Sequence, residues 1–295
     1  MRKITILLII AAIIVLATST VVAKKNNYYY GQYGHYYSAG AEGSIFVPEG
    51  CSEKDVKIAT VTIPTGSDRV RFWLDNEGKV TKTKNLTQTA EKGTYNSWGN
   101  VDPSGCWHVF QVKKSDGKET IWIGSTYDDG NSWLLTEGIH PDWNQITGEI
   151  IFSKDGDIYT INMFGKNLKS LGIKGDYPKF FPNGKWILYQ DNGKIYLYKD
   201  NKQSEIGIGQ FAIPNKSGFF IINNHKIEFY DIDGKKILEI DGDNIAPDPR
   251  KQEMLDIIEV NNKLFLLDLV DKNIKSIEWN DNLSEPIWWV EISQR

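Results

Sequence analysis

Cysteine, histidine and clustered positive charge are all scarce in this chain, and each scarcity removes a class of function. Only two cysteines occur, Cys51 and Cys106, with no CxxC pair and no Cys/His cluster, so no structural zinc site is expected. The four histidines, His35, His108, His140 and His225, are far apart and show no i, i+4 pairing. His108 falls in a strand pattern and His140 in an inter-blade loop, so each reads as a structural imidazole. No GxSxG elbow, HExxH helix or glycine-rich phosphate loop is present, so no catalytic residue, metal or cofactor is assigned. A formal charge of -4, spread over a chain that is 24% charged, gives no reason to expect nucleic acid as a partner.

Long apolar runs are missing too, except at the start. "MRK" supplies positive charge, Ile4 to Ala23 is uncharged, and "TSTVVA" ends in small residues with Val21 and Ala23 placed for a signal peptidase. The sequence therefore predicts a signal peptide over 1–23. An uncleaved membrane anchor is the competing reading, because about 20 apolar residues can span a bilayer. Either way the remainder is exported, to a periplasmic or extracellular location. In an oxidising compartment Cys51 and Cys106 are a candidate disulfide, with two separate thiols as the alternative. Residues 24–43, "KKNNYYYGQYGHYYSAGAEG", hold Tyr28, Tyr29, Tyr30, Tyr33, Tyr36 and Tyr37 and show no helical or strand periodicity. They read as a flexible linker, or alternatively as a self-associating segment.

What the chain does have is aromatic residues and glycine. Ten Trp, fourteen Tyr and twelve Phe stand beside 26 Gly, a mixture that suits short strands joined by many turns. From Ser44 to the end, 44–295, the pattern is all-β. The runs "IWIGS", "IYTIN", "IYLYK", "IEFYD" and "LFLLD" begin at Ile121, Ile158, Ile195, Ile227 and Leu264, 32 to 37 residues apart. Each has one apolar run before it and another after it. Such a unit cannot bury both of its faces alone and must stack on copies of itself. Five regular units, a partial one ("KIATVTI", "RVRFWLD", "KVTKTKNL") and an orphan C-terminal strand ("EPIWWVEIS") predict a six-bladed β-propeller. The last strand would complete the first blade and remove two sheet edges. Five to seven blades fit the same pattern.

The stretches "HPDWNQITGEIIFSKDGDIYTIN" (140–162) and "DYPKFFPNGKWILYQDNGKIYLYK" (176–199) resemble the repeat of the TolB-like propeller superfamily, also called WD40-like or PD40 repeats. Pro178, Phe180, Pro182, Asn183 and Gly184 match its turn pattern closely; Pro141 and Trp143 match it less completely. The resemblance spans about 95–290 and implies a fold, since the superfamily hosts binding modules, peptidase gates and assorted enzymes.

"TYDDGNSW" resembles the Asp-box turn of other propellers through Thr126, Asp128, Gly130, Ser132 and Trp133. Its expected role is structural: Asp128 would accept turn N–H groups, Gly130 would take positive φ and Trp133 would cover the hairpin. A calcium loop would need more oxygen ligands than Asp128 and Asp129 supply. Sialidase chemistry would need three converging arginines, and beyond the leader only Arg69, Arg71, Arg250 and Arg295 occur. Trp98, Trp107 and Trp143 fall near blade starts and are candidate ligand-facing rings, with burial between blades as the alternative. The sequence points to an exported, non-catalytic propeller that binds a protein or a polymer such as polysaccharide at the cell envelope or outside the cell. A propeller hydrolase or lyase acting on glycan or peptide, and a self-assembling structural subunit, are the alternatives.

Overall fold

Why runs such as "IIF" (150–152) and "FFII" (219–222) are continuously apolar, rather than alternating, is answered by where successive residues go. In a strand they point to opposite faces. Here Ile150 and Phe152 pack toward the preceding blade and Ile151 toward the following one. Phe219 and Ile221 pack toward one neighbour, Phe220 and Ile222 toward the other. Both faces of these central strands are buried, so both need apolar residues.

The computed structural model describes residues 34–38, 44–48, 51, 56–63, 65–74, 79–89, 92–127, 131–246, 255–260, 263–268, 273–276 and 287–292. A hairpin, β1 (Gly34–Ser38) and β2 (Ser44–Pro48), precedes the ring. Blade 1 comprises β3 (Lys57–Ile63), β4 (Gly66–Leu74), β5 (Val80–Asn85) and, from the far end of the chain, β26 (Ile287–Ile292). Blade 2 is β6 (Tyr95–Val101), β7 (Trp107–Lys113), β8 (Glu119–Ser125) and β9 (Ser132–Glu137). Blade 3 is β10 (Ile139–Trp143), β11 (Glu149–Lys154), β12 (Asp157–Asn162) and β13 (Lys169–Lys174). Blade 4 is β14 (Asp176–Phe180), β15 (Ile187–Asp191), β16 (Lys194–Lys199) and β17 (Lys202–Ile208). Blade 5 is β18 (Phe211–Asn215), β19 (Gly218–Asn223), β20 (Lys226–Asp231) and β21 (Lys236–Asp241). Blade 6 is β22 (Asn244–Ala246), β23 (Leu255–Val260), β24 (Lys263–Asp268) and β25 (Asn273–Ser276). Blades 3 to 6 are separate four-stranded antiparallel sheets; blades 1 and 2 are joined by one parallel bridge, Ser67 to Tyr95.

The ring closes as the sequence predicts. β26 pairs antiparallel with β3, Val290 opposite Ala59 and Glu291 opposite Ile58. Strand β26 also lies against β22 on one side and β6 on the other, and β6, β10, β14 and β18 follow in contact. These inner strands line the axis. Ile245 and Ile258 of blade 6 share a cluster with Phe220 and Ile222 of blade 5, so packing is continuous there as well. Of the two readings for the cysteines, the disulfide is formed: Cys51 is bonded to Cys106, with Cα atoms 6.2 Å apart.

Two features differ from the sequence reading. Residues 34–38, inside the segment read as a linker, form β1. The stretches read as blade-start loops are the inner strands themselves, and β10, β14 and β18 escape detection because they are short and proline-bearing, with the register also broken in β10 and β14. Strands β10, β14 and β18 are entered through Gly138, Gly175 and Gly209. Gly138 has φ +146° and Gly175 φ +151°, and a Cβ would meet Phe152 Cδ2 at 2.6 Å in the first and the Gln190 carbonyl oxygen at 2.7 Å in the second. Only glycine lets the chain cross from an outer strand to the axis there.

Candidate functional site at the channel axis

Two residues after Gly138, Gly175 and Gly209 stand His140, Tyr177 and Phe211, and Trp98 holds the matching place in blade 2. Three of the four are in the left-handed region, Trp98 at φ 39°, His140 at 51° and Tyr177 at 51°. The pairing register breaks there in β6, β10 and β14, and in β26 it breaks around Trp288. Bulky residues with positive φ cost of order 1–3 kcal/mol each and persist only where surrounding packing holds them. Here the packing is mutual. His140 stacks on Tyr177 with centroids 3.7 Å apart, and Tyr177 stacks on Phe211 at 5.7 Å. Trp98 meets all three edge-on, at 4.9 Å, 5.1 Å and 5.5 Å. Its ring reaches from blade 2 to blade 5 and stoppers the channel.

Polar groups brace the stopper. His140 Nδ1 lies 2.6 Å from Asp176 Oδ1, linking blades 3 and 4. The His140 backbone N–H donates to Gln111 Oε1, and Gln111 Nε2 donates to Glu119. One layer along the axis, buried Asp142 accepts from Asn100 Nδ2 at 2.8 Å, from Lys179 Nζ at 3.3 Å and from the Phe180 N–H at 2.9 Å. These bonds tie the inner strands of blades 2, 3 and 4 together. Burial pushes the Asp176 carboxyl up, but the hydrogen bond and charge of His140, with the Tyr177 N–H, outweigh it and hold it below the usual carboxylate range. Burial, then the charges of Asp176 and Glu119, push the Tyr177 phenol up, so it stays neutral. Both axial aspartates are engaged in blade-to-blade bonds. The arrangement suits rigid presentation of a surface.

The sequence-predicted residues divide sharply. Trp98 is in the stopper. Trp107 and Trp143, read as candidate ligand-facing rings, are instead 3% and 0% exposed in the core between blades 2 and 3, which corrects that reading. Trp107 leans on Trp133 at 5.1 Å, and the Trp143 indole donates to the Gly148 carbonyl, so both rings are consumed by packing. In the β8–β9 loop, Thr126 Oγ1 donates to the Gly105 carbonyl, Ser132 opens β9, and buried Trp133 donates to the Met163 carbonyl. Asp128, Asp129 and Gly130 lie outside the described residues, as do Tyr28, Tyr29, Tyr30 and Tyr33; Tyr36 and Tyr37 are in β1. Among the described residues no group of three or more His, Cys, Asp or Glu is placed to hold a metal, and no helix is long and apolar enough to cross a membrane; residues 4–23 lie outside them. His140, read as a structural imidazole, sits in the stopper, and Tyr177, Phe211 and Asp176 were missed, although "GIHPDW", "GDYPKF" and "GQFAIP" repeat a Gly-x-aromatic signal that carries them.

No protein-family model matches the chain, and no curated protein does. Among solved structures it is similar to TolB from Acinetobacter baumannii, at 13% identity and a TM-score of 0.58, over 84% of this chain and 68% of that one. A putative TolB from Agrobacterium tumefaciens aligns at 16% identity and a TM-score of 0.42, over 84% and 92% of the two chains. The inner-strand geometry and the first of these likenesses agree: this chain has the fold of the TolB-like β-propellers.

Proposed function

We propose that the chain is an exported, non-catalytic propeller that binds a protein partner at the cell envelope through one of its two faces. The observation that carries this reading is the Trp98 stopper, which fills the axis where a propeller enzyme would admit a glycan or peptide. The axial carboxylates support it too, since Asp142 and Asp176 are committed to bonds between blades rather than held for proton transfer. The apolar leader and the Cys51–Cys106 bond fit an oxidising compartment outside the cytoplasm. A rigid ring that presents its turns on two faces is suited to recognition.

The test is photo-crosslinking in cells from two exposed positions on opposite faces. Tyr95 sits beside the crossovers to the inner strands, and Ile146 sits in the β10–β11 turn at their other end. A discrete protein adduct from one position, competed by unlabelled chain, supports the reading. Turnover of a glycan or peptide by the purified chain, with adducts from neither position, overturns it.

A further inference from the structure

Among the described residues every blade ends in an outer strand with an unpaired edge, and every one of those strands carries charge: Lys82 in β5, Glu137 in β9, Lys169 in β13, Glu205 in β17, Lys236 in β21 and Lys275 in β25. Charged residues on an edge discourage pairing with another chain. Strand β1 is different. Its sequence, GHYYS, contains no Asp, Glu, Lys, Arg or Pro. Among the described residues it pairs with β2 alone, and β2 ends on Pro48, which has no N–H to offer a further strand. The register sets Tyr36 opposite Phe46 and Tyr37 opposite Ile45, residue types that favour strand pairing. A two-stranded ribbon is marginal by itself in water, and added strands stabilise it. Cys51, three residues past Pro48, is bonded to Cys106, so the ribbon is tethered to blade 2 at the ring.

We propose that β1 is a self-association edge that pairs antiparallel with β1 of a second copy, joining two hairpins into one four-stranded sheet between two propellers. The occupant follows from charge. A blade's outer strand presents a lysine or glutamate to an incoming strand, whereas a second β1 presents none. Pairing of like edge with like edge is two-fold symmetric, so it closes at the dimer. This inference stands apart from the partner-binding face and does not depend on it.

Sedimentation of the exported chain tests it. The native chain should sediment as a dimer at micromolar concentration. The Tyr36→Lys/Tyr37→Lys chain should sediment as a monomer with the same unfolding midpoint, because the hairpin is a sheet of its own and joins no blade's ladder. A Tyr36→Cys chain should form a covalent dimer on mild oxidation, since Tyr36 is the central residue of β1 and meets its own counterpart in a symmetric pair. A monomeric native chain, a dimer indifferent to the two lysines, or assembly beyond the dimer overturns the proposal.

Discussion

Trp98 of β6 and Phe211 of β18 belong to inner strands three blades apart, yet their ring centroids lie 5.5 Å apart at an interplanar angle of 88°. In a ring of six blades that contact crosses the axis. Truncating Trp98 to Ala therefore removes an internal strut as well as a plug. Large-to-small changes at buried aromatics cost about 3–5 kcal/mol, and because Trp98 is half-buried, a loss of about 2–3 kcal/mol is expected. Urea unfolding of the variant measures it; an unchanged midpoint would place the ring outside the load path.

Glycine at the crossovers gives a sharper contrast. At Gly175 a Cβ meets backbone at 2.7 Å, while at Gly172, φ +68°, it meets nothing within 4 Å. Gly172→Ala carries only the left-handed backbone cost, about 1 kcal/mol. Gly175→Ala adds displacement of β15 and should cost about 3 kcal/mol or more. Paired thermal melts distinguish them, and equal losses would refute the close approach.

The ionisable groups of blade 2 make stability depend on pH in opposing ways. Fully buried Asp102 accepts hydrogen bonds from Ser104 and Trp107, but burial dominates and its carboxyl is pushed up to about 6 from 3.8. The folded state thus holds the proton more tightly, and that stabilisation is complete below the unfolded value and lost as pH rises through about 6. His108 is opposite. Burial, then the Arg69 charge, hold its imidazole well below 6.5, so acidification below 6.5 destabilises the fold. Asp102→Asn removes a gain of up to about 3 kcal/mol. The variant should lose stability between pH 7 and 5 more steeply than the native chain; parallel profiles would count against the assignment.

The disulfide links residues 55 apart in sequence. In the chain-entropy account, closing a loop of that length stabilises by about 4 kcal/mol. Cys51→Ser should lower the unfolding free energy by roughly that amount, while the Cys106 turn keeps its Asp102 bonds. A loss below about 1 kcal/mol would mean that the unfolded chain is already compact near this loop.

How much of this was legible in the sequence follows from periodicity. Runs such as "IYTIN" and "FFIIN" are continuous because each strand serves two interfaces, so the middle strands of every blade and the closing strand read directly. The remaining inner strands did not. Pro141 and Pro178, and the left-handed backbone at His140 and Tyr177, break the alternation that marks a strand. Trp107 and Trp143 looked like ligand platforms because aromatic content alone cannot tell a wedge between blades from a ring on a face. The stopper was visible only as a recurring Gly-x-aromatic triplet, whose meaning depends on three glycines converging on one axis.

Closure by the C-terminal strand is the claim on which the rest stands, and a register-specific crosslink tests it most directly. Val290 and Ala59 are opposite one another in the β26–β3 ladder. A chain carrying Val290→Cys and Ala59→Cys should oxidise to a second disulfide, mapped by mass spectrometry, with a raised unfolding midpoint. Free thiols at both positions under conditions that leave Cys51–Cys106 intact would show that the ring is not shut by this strand.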